Sequence, residues 1–173
     1  MKGLVVDCLK EVVEKNFEKG TWKKILAKSE VSTDKVYGMM DDVDDEMVLK
    51  LFGNTCEIGG ISFEQACDAF GDYWVEGYTQ KHWPEFYNGV NDTREFLEKL
   101  NSVHDKMRVR IDKANPPKLS YSWKDNETMI MVYDSYRDLT ELFAGAVRGV
   151  SKYFKDNVEV TVLDRKNVEI KFL

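Results

Sequence analysis

Up to Pro117 the apolar residues recur mostly at three- and four-residue intervals; beyond it, alternating runs join them. Val5, Val6, Leu9, Val12 and Val13 predict a first helix between Gly3 and Phe17. Thr21 reads as the N-cap of a short helix through Ala27, and Ser32 or Thr33 as the start of a further short turn. The acidic run Asp41 to Glu46 precedes a helix carrying Val48, Leu49, Leu51 and Phe52. Its carboxylates suit the positive end of that helix and read as a solvated cap; their spacing does not match a calcium loop. Gly59 and Gly60 end this helix, and Ser62 caps the next, which carries Phe63, Ala66, Phe70 and Trp74 toward Tyr78. The segment Lys81 to Gly89 is an irregular elbow around Pro84, with His82 expected at the surface.

Asn91 or Asp92 caps a long helix whose apolar stripe is Phe96, Leu97, Leu100, Val103, Met107 and Ile111. After Pro117 the period changes. Leu119 to Trp123 and Thr128 to Tyr133 predict paired strands, and Leu139 to about Phe154 a helix. Val158 to Leu163 and Val168 to Leu173 predict a closing hairpin. The expected class is α+β: a helical N-terminal lobe and a C-terminal lobe with helices and a four-stranded antiparallel sheet.

His104 falls inside the stripe of the long helix. A neutral imidazole on a buried face needs partners for its ring nitrogens, and a backbone carbonyl or an iron ion would each serve. Tyr133, Ser135 and Arg137 form a Y-x-S-x-R pattern at the end of a strand-like run. Residues two apart on a strand share a face, so the three side chains can converge on one anion; an exposed strand end is the plainer reading.

The 173 residues suit one domain, with 43% hydrophobic and 32% charged residues. A net charge of −6 with no basic block disfavours nucleic acid and anionic membrane as partners. No apolar run is long enough to span a bilayer, and Asp7, Lys10 and Glu11 break any leader-like start, so cytoplasm is the expected location. Cys8, Cys56 and Cys67 are scattered, with no C-x-x-C and no C-x-x-C-H. They read as small buried hydrophobes, and one of them could carry a redox role.

Taken together, the MKG start, Ala69 to Trp74 (AFGDYW), Leu100 to His104 (L-x-x-VH), Pro116-Pro117 and YDSYR resemble the H-NOX (heme–nitric oxide/oxygen binding) family over essentially the whole chain. This is the sensory domain of soluble guanylate cyclases and their bacterial relatives. The resemblance implies a distal lobe at 1–60 and a heme-binding lobe at 61–173, with non-covalent heme b between them. It assigns His104 as the iron ligand, Tyr133, Ser135 and Arg137 to the heme propionates, and Pro117 to contact with the porphyrin. The proline pair also reads simply as helix termination.

Oxygen-binding members carry a tyrosine five positions after the motif arginine, where this chain has Leu142. With Val5, Leu9 and Ala146 the resemblance implies an apolar distal wall, selective for nitric oxide and open to carbon monoxide. Trp74 and Tyr78 lie on the helix expected to line that side, and both are donors. The mechanism implied is release of His104 when nitric oxide binds opposite it, freeing the long helix to shift. The chain is then a sensor without enzymatic activity, acting through a histidine kinase or a cyclic-di-GMP enzyme. The alternatives are an oxygen sensor or heme enzyme using Trp74 or Tyr78, and a heme-free helical adaptor.

Overall fold

The computed structural model describes residues 1–173. In chain order it holds α1 (Leu4–Asn16), α2 (Thr21–Lys28), α3 (Asp45–Gly59), α4 (Phe63–Tyr73), a π turn (Trp74–Tyr78), α5 (Thr79–His82) and a 3₁₀ turn (Pro84–Tyr87). Then come α6 (Thr93–Arg110), β1 (Lys118–Trp123), β2 (Thr128–Asp134), α7 (Thr140–Phe154), β3 (Val158–Val162) and β4 (Asn167–Phe172). The sheet runs β1-β2-β4-β3 with every pair antiparallel, so the fold is the expected α+β arrangement. No helix is long and apolar enough to cross a membrane.

The caps show why the elements begin where they do. Asp44 accepts from the backbone of Glu46 and Met47, Asp92 accepts from Glu95, and Ser62 forms a reciprocal capping box with Gln65. Gly60 closes α3 in the left-handed region at φ +63°, which costs glycine nothing. Two expectations fail locally. Thr21 is the first residue of α2 rather than its cap; Gly20, at φ +91°, makes the turn that precedes it. The helix expected to run from Ser62 toward Tyr78 reaches it but changes winding at Trp74. Five residues there form a π turn, closed where Thr79 Oγ1 donates to the Trp74 carbonyl at 2.8 Å.

Two cores result. The first gathers α1, α2 and α3 around Leu9, Ile25, Leu26 and Leu51, and includes Phe70 and Tyr78. The second lies between the sheet, α6 and α7, and includes Val75. The segment from α4 to α5 therefore serves both cores with opposite faces. Its tightest contact is with α7, where Gly71 meets Gly145 and Gly149. A Cβ on Gly71 would lie 2.2 Å from the Gly145 carbonyl oxygen, so no side chain fits between these backbones.

Candidate functional site

A recess of about 250 Å³ opens between the cores, with an inner extension of about 110 Å³. Trp74, His104, Met107, Phe143 and Ala146 border both parts, which places His104 at the waist of one continuous recess. Its walls are mainly apolar, and its mouth carries Lys2, Lys113 and Arg137 together with Asp42.

His104 reaches the recess from α6. Its Nδ1 lies 3.1 Å from the Pro117 carbonyl oxygen. A carbonyl only accepts, so Nδ1 carries the proton and the Nε2 lone pair is left free. Nε2 makes no hydrogen bond within the protein and is not sealed off from the recess. Burial is the main influence on the ring and pushes it down to about 4, against the Pro117 carbonyl, which favours protonation. The imidazole is therefore neutral at physiological pH. Arg108, one turn further along α6, donates to the carbonyls of Pro116 (2.9 Å) and Pro117 (2.8 Å). Both prolines border the recess, fixed to the helix that precedes them.

The Y-x-S-x-R residues converge by a different route from strand alternation. β2 stops at Asp134, and Ser135 to Arg137 form the turn after it. Tyr133 and Arg137 border the recess; Ser135 does not, and instead shapes the turn by accepting from the Arg137 backbone at 3.3 Å. Arg137 Nε donates to Asp45 Oδ2 at 2.8 Å and Nη1 donates to the Asn115 carbonyl at 2.8 Å.

Asp45 corrects the expectation of a solvated acidic cap. It meets the N-terminal ammonium of Met1, Arg137 and the hydroxyl of Tyr136 at once. Burial works against its ionisation, but the hydrogen bonds from Met1 and Tyr136 and the charge of Arg137 hold its carboxyl below the usual range.

On the opposite wall, Val5, Trp74, Leu142 and Ala146 border the recess. Leu9 and Tyr78 do not: Leu9 is sealed in the first core, and the fully buried Tyr78 donates to Asp7 Oδ2 at 2.8 Å. Trp74 borders the recess, and its indole N–H has no hydrogen-bond partner in the protein. His82, expected at the surface, is half-buried; its ring sits 4.7 Å from that of Tyr78 and its Nε2 is buried without a partner. Cys8 and Cys67 are buried as expected, whereas Cys56 is half-buried. Burial pushes the Cys67 thiol up to about 12, which suppresses the thiolate that redox chemistry needs.

Sequence reasoning missed Lys2, Lys113, Asp7 and Asp45. Lys2 is part of the MKG start, but nothing along the chain signals the other three, whose roles come from residues distant in sequence.

The recess fits heme. No group of three or more His, Cys, Asp or Glu side chains could hold a metal ion, so an iron ion at His104 needs ligands from outside the protein. A porphyrin supplies them. The free Nε2 lone pair of His104 would supply a ligand to its iron, the apolar walls suit the macrocycle, and the cations at the mouth suit two propionates.

The comparisons agree. The chain is 24% identical over 172 residues to the soluble guanylate cyclase gcy-35 of Caenorhabditis elegans, an alignment spanning 96% of this chain and 25% of that protein. It thus spans about a quarter of that relative's length. Among solved structures, a Cs H-NOX variant carrying 4-cyano-L-phenylalanine at site 5 superposes with a TM-score of 0.85 at 24% identity, covering 99% of this chain and 96% of that one. An oxygen-binding H-NOX domain related to soluble guanylate cyclases, solved as its oxygen complex, gives 0.80 at 24% identity, covering 99% and 95%. The Haem-NO-binding family model matches residues 2–162, and the chain belongs to that family, the H-NOX domains.

Proposed function

We propose that this chain is a heme-b gas sensor, selective for nitric oxide over oxygen, that signals to a separate effector protein. The observation that carries the reading is His104: neutral, with Nδ1–H fixed on Pro117 and a free Nε2 lone pair inside an apolar recess. When bound, heme iron would supply one open coordination position for a diatomic gas. His104 would be its only protein ligand. Arg137, Tyr133 and Ser135 would define the propionate end, with Ser135 acting by shaping the turn, and Pro117 would press on the porphyrin edge. The distal lobe, residues 1–60, would contribute Val5 to the wall and Lys2 to the mouth, and the lobe of residues 61–173 would hold His104 and the Y-x-S-x-R residues.

Selectivity follows from the wall opposite His104. Bound oxygen draws stabilisation from a hydrogen-bond donor, and nitric oxide does not need one. Val5, Leu142 and Ala146 offer none, and the Tyr78 hydroxyl is committed to Asp7. A second reading, an oxygen-binding sensor, is favoured by the unpartnered Trp74 indole at the same wall. Carbon monoxide would bind under either reading. Loss of the bond to His104 would free α6 to shift together with Pro116 and Pro117, which Arg108 ties to it, and a histidine kinase or cyclic-di-GMP enzyme in the cytoplasm would read that change. Absorption spectra of the anaerobically reduced protein, with oxygen or nitric oxide added, test the proposal. A shift with nitric oxide alone is expected; a stable oxygen complex would establish the Trp74 reading.

A further inference from the structure

Trp74 borders both parts of the recess, yet its indole makes no hydrogen bond that would fix its plane. Stacking fixes it instead. Phe70, four positions earlier, lies 5.5 Å away with planes within 19°, and Tyr78, four positions later, lies 5.5 Å away with planes within 14°. Rings four apart on a helix meet, and these two flank the indole from opposite directions along the chain, so it turns mainly an edge to the recess. One ring of this stack is locked. Tyr78 is fully buried, and its hydroxyl donates to Asp7 Oδ2, on α1, at 2.8 Å. Packing alone would be met by phenylalanine; a buried hydroxyl that needs an acceptor also fixes the direction of its ring. Tyr73 makes the same kind of tie between the same two elements, donating to Glu11 at 2.6 Å, but its ring packs over Gly77 and not on Trp74.

We propose that Tyr78, locked by Asp7, is the positioning residue for the Trp74 indole and through it a determinant of how the recess treats a bound gas. The second half of this inference rests on the gas-sensor reading. The backbone at Trp74 is held separately: Thr79 Oγ1 donates to its carbonyl at 2.8 Å and meets the Tyr87 hydroxyl at 2.6 Å. Only the ring is left for Tyr78 to set. Freed from Asp7, the phenol ring would tilt, and the indole stacked on it would follow, because no bond of its own resists. The indole edge would then move on the wall opposite His104. A contact to a small ligand tolerates displacements of only about 0.5 Å, so a ring locked by a neighbour is what such a wall needs. By this route α1 acts on the wall twice, directly through Val5 and indirectly through Asp7.

Labelling the full chain with 5-fluorotryptophan gives each of its four tryptophans a fluorine resonance in the heme-free protein, that of Trp74 being assigned by Trp74→Phe. In Tyr78→Phe and in Asp7→Ala the Trp74 resonance is expected to shift and broaden, while that of Trp123, on the edge strand β1, stays in place. Asp7→Asn, whose amide oxygen still accepts from the phenol, should restore the parent line. Tyr73→Phe, which cuts the other tie to α1, should leave it unmoved. After reconstitution with heme, Tyr78→Phe should change the carbon monoxide association rate several-fold in flash photolysis, and the change should vanish in a Trp74→Ala background. A Trp74 resonance indifferent to Tyr78→Phe and Asp7→Ala, or disturbed as much by Tyr73→Phe, would overturn the proposal. So would a rate change that persists without Trp74. A parent chain that takes up no heme would overturn the gas-sensor reading instead, and the fluorine spectra would still decide the positioning of Trp74.

Discussion

Arg137, in the turn after β2, donates to Asp45, at the start of α3, across 2.8 Å and 92 positions of sequence. The pair joins α3 of the first core to the turn after β2 of the second, at the mouth of the recess, and the arginine that borders the cavity is held there by a carboxylate from the other side. Asp45→Ala would leave a largely buried guanidinium with one fewer partner and should cost about 1.5–3 kcal/mol of stability, read from urea midpoints. A midpoint unchanged from the parent would show that the pair is idle.

The same carboxylate sets an acid limit. Its pKa is lowered in the folded state, so its contribution is present above the ordinary carboxylate value and is lost as pH falls through the lower folded value. The stability difference between the parent and Asp45→Asn should therefore shrink on strong acidification; a constant difference would contradict the assignment.

His104 acts in a higher window. The unfolded imidazole takes up a proton near 6.5, the folded one only near about 4. Between those values the unfolded chain binds more protons, so stability falls as pH drops across the window and levels off below it, a total of about 3 kcal/mol. His104→Gln should lose this dependence, measured as thermal midpoints of the heme-free protein from neutral pH downward.

His104→Gly should abolish the Soret band of the reconstituted protein, and added imidazole should restore it by supplying the missing axial ligand. Full heme uptake by the variant without imidazole would remove His104 from the site.

Leu142→Tyr would place a phenol on the apolar wall, and Trp74→Phe would remove the free indole N–H there. The first change should yield an oxygen complex that the parent does not form. If the parent itself binds oxygen, the second should accelerate oxygen dissociation by about tenfold or more, a loss of roughly 1.4 kcal/mol, followed by stopped-flow absorbance.

What the sequence conveyed and what it withheld divide along physical lines. The stripe of α6, with His104 inside it, is a local periodic signal: Phe96 and Leu97 are buried, Leu100, Val103 and Met107 line the recess, and Ile111 falls just past the helix end. The strands and their two hairpin pairings are local as well, and so is the capping box at Ser62, whereas the central pairing of β2 with β4 is not. The three-way role of Asp45 was invisible, because an acidic residue in a helix's first turn is sufficiently explained by that helix, and its real partners are Met1, Tyr136 and Arg137. The same holds for Asp7, whose meaning is set by a phenol 71 positions away. Ser135 was assigned to the recess by strand alternation, which ended one residue too soon. His82 was placed at the surface on the polarity of its neighbours, but the ring that covers it belongs to Tyr78.

The glycine crossing of α4 and α7 divides the moving parts from the fixed ones. With backbones in direct contact at Gly71, Gly145 and Gly149, neither helix can slide or rotate on the other without collision, and an alanine at Gly71 should cost about 1–3 kcal/mol. The α7 wall bearing Leu142 and Ala146 is thereby locked to the segment that leads into Trp74, and the two form a stator. On the other side α6 is pinned at its start, where Thr93 donates to Asp156 and the Arg94 guanidinium lies over Trp123 and Phe172. Its far end is tied by His104 and Arg108 to the proline carbonyls. Were His104 released, as the proposed mechanism requires, α6 would have one mechanical outlet: it would swing about the Arg94 end, carrying the proline loop, while the Leu142 wall stayed where it was.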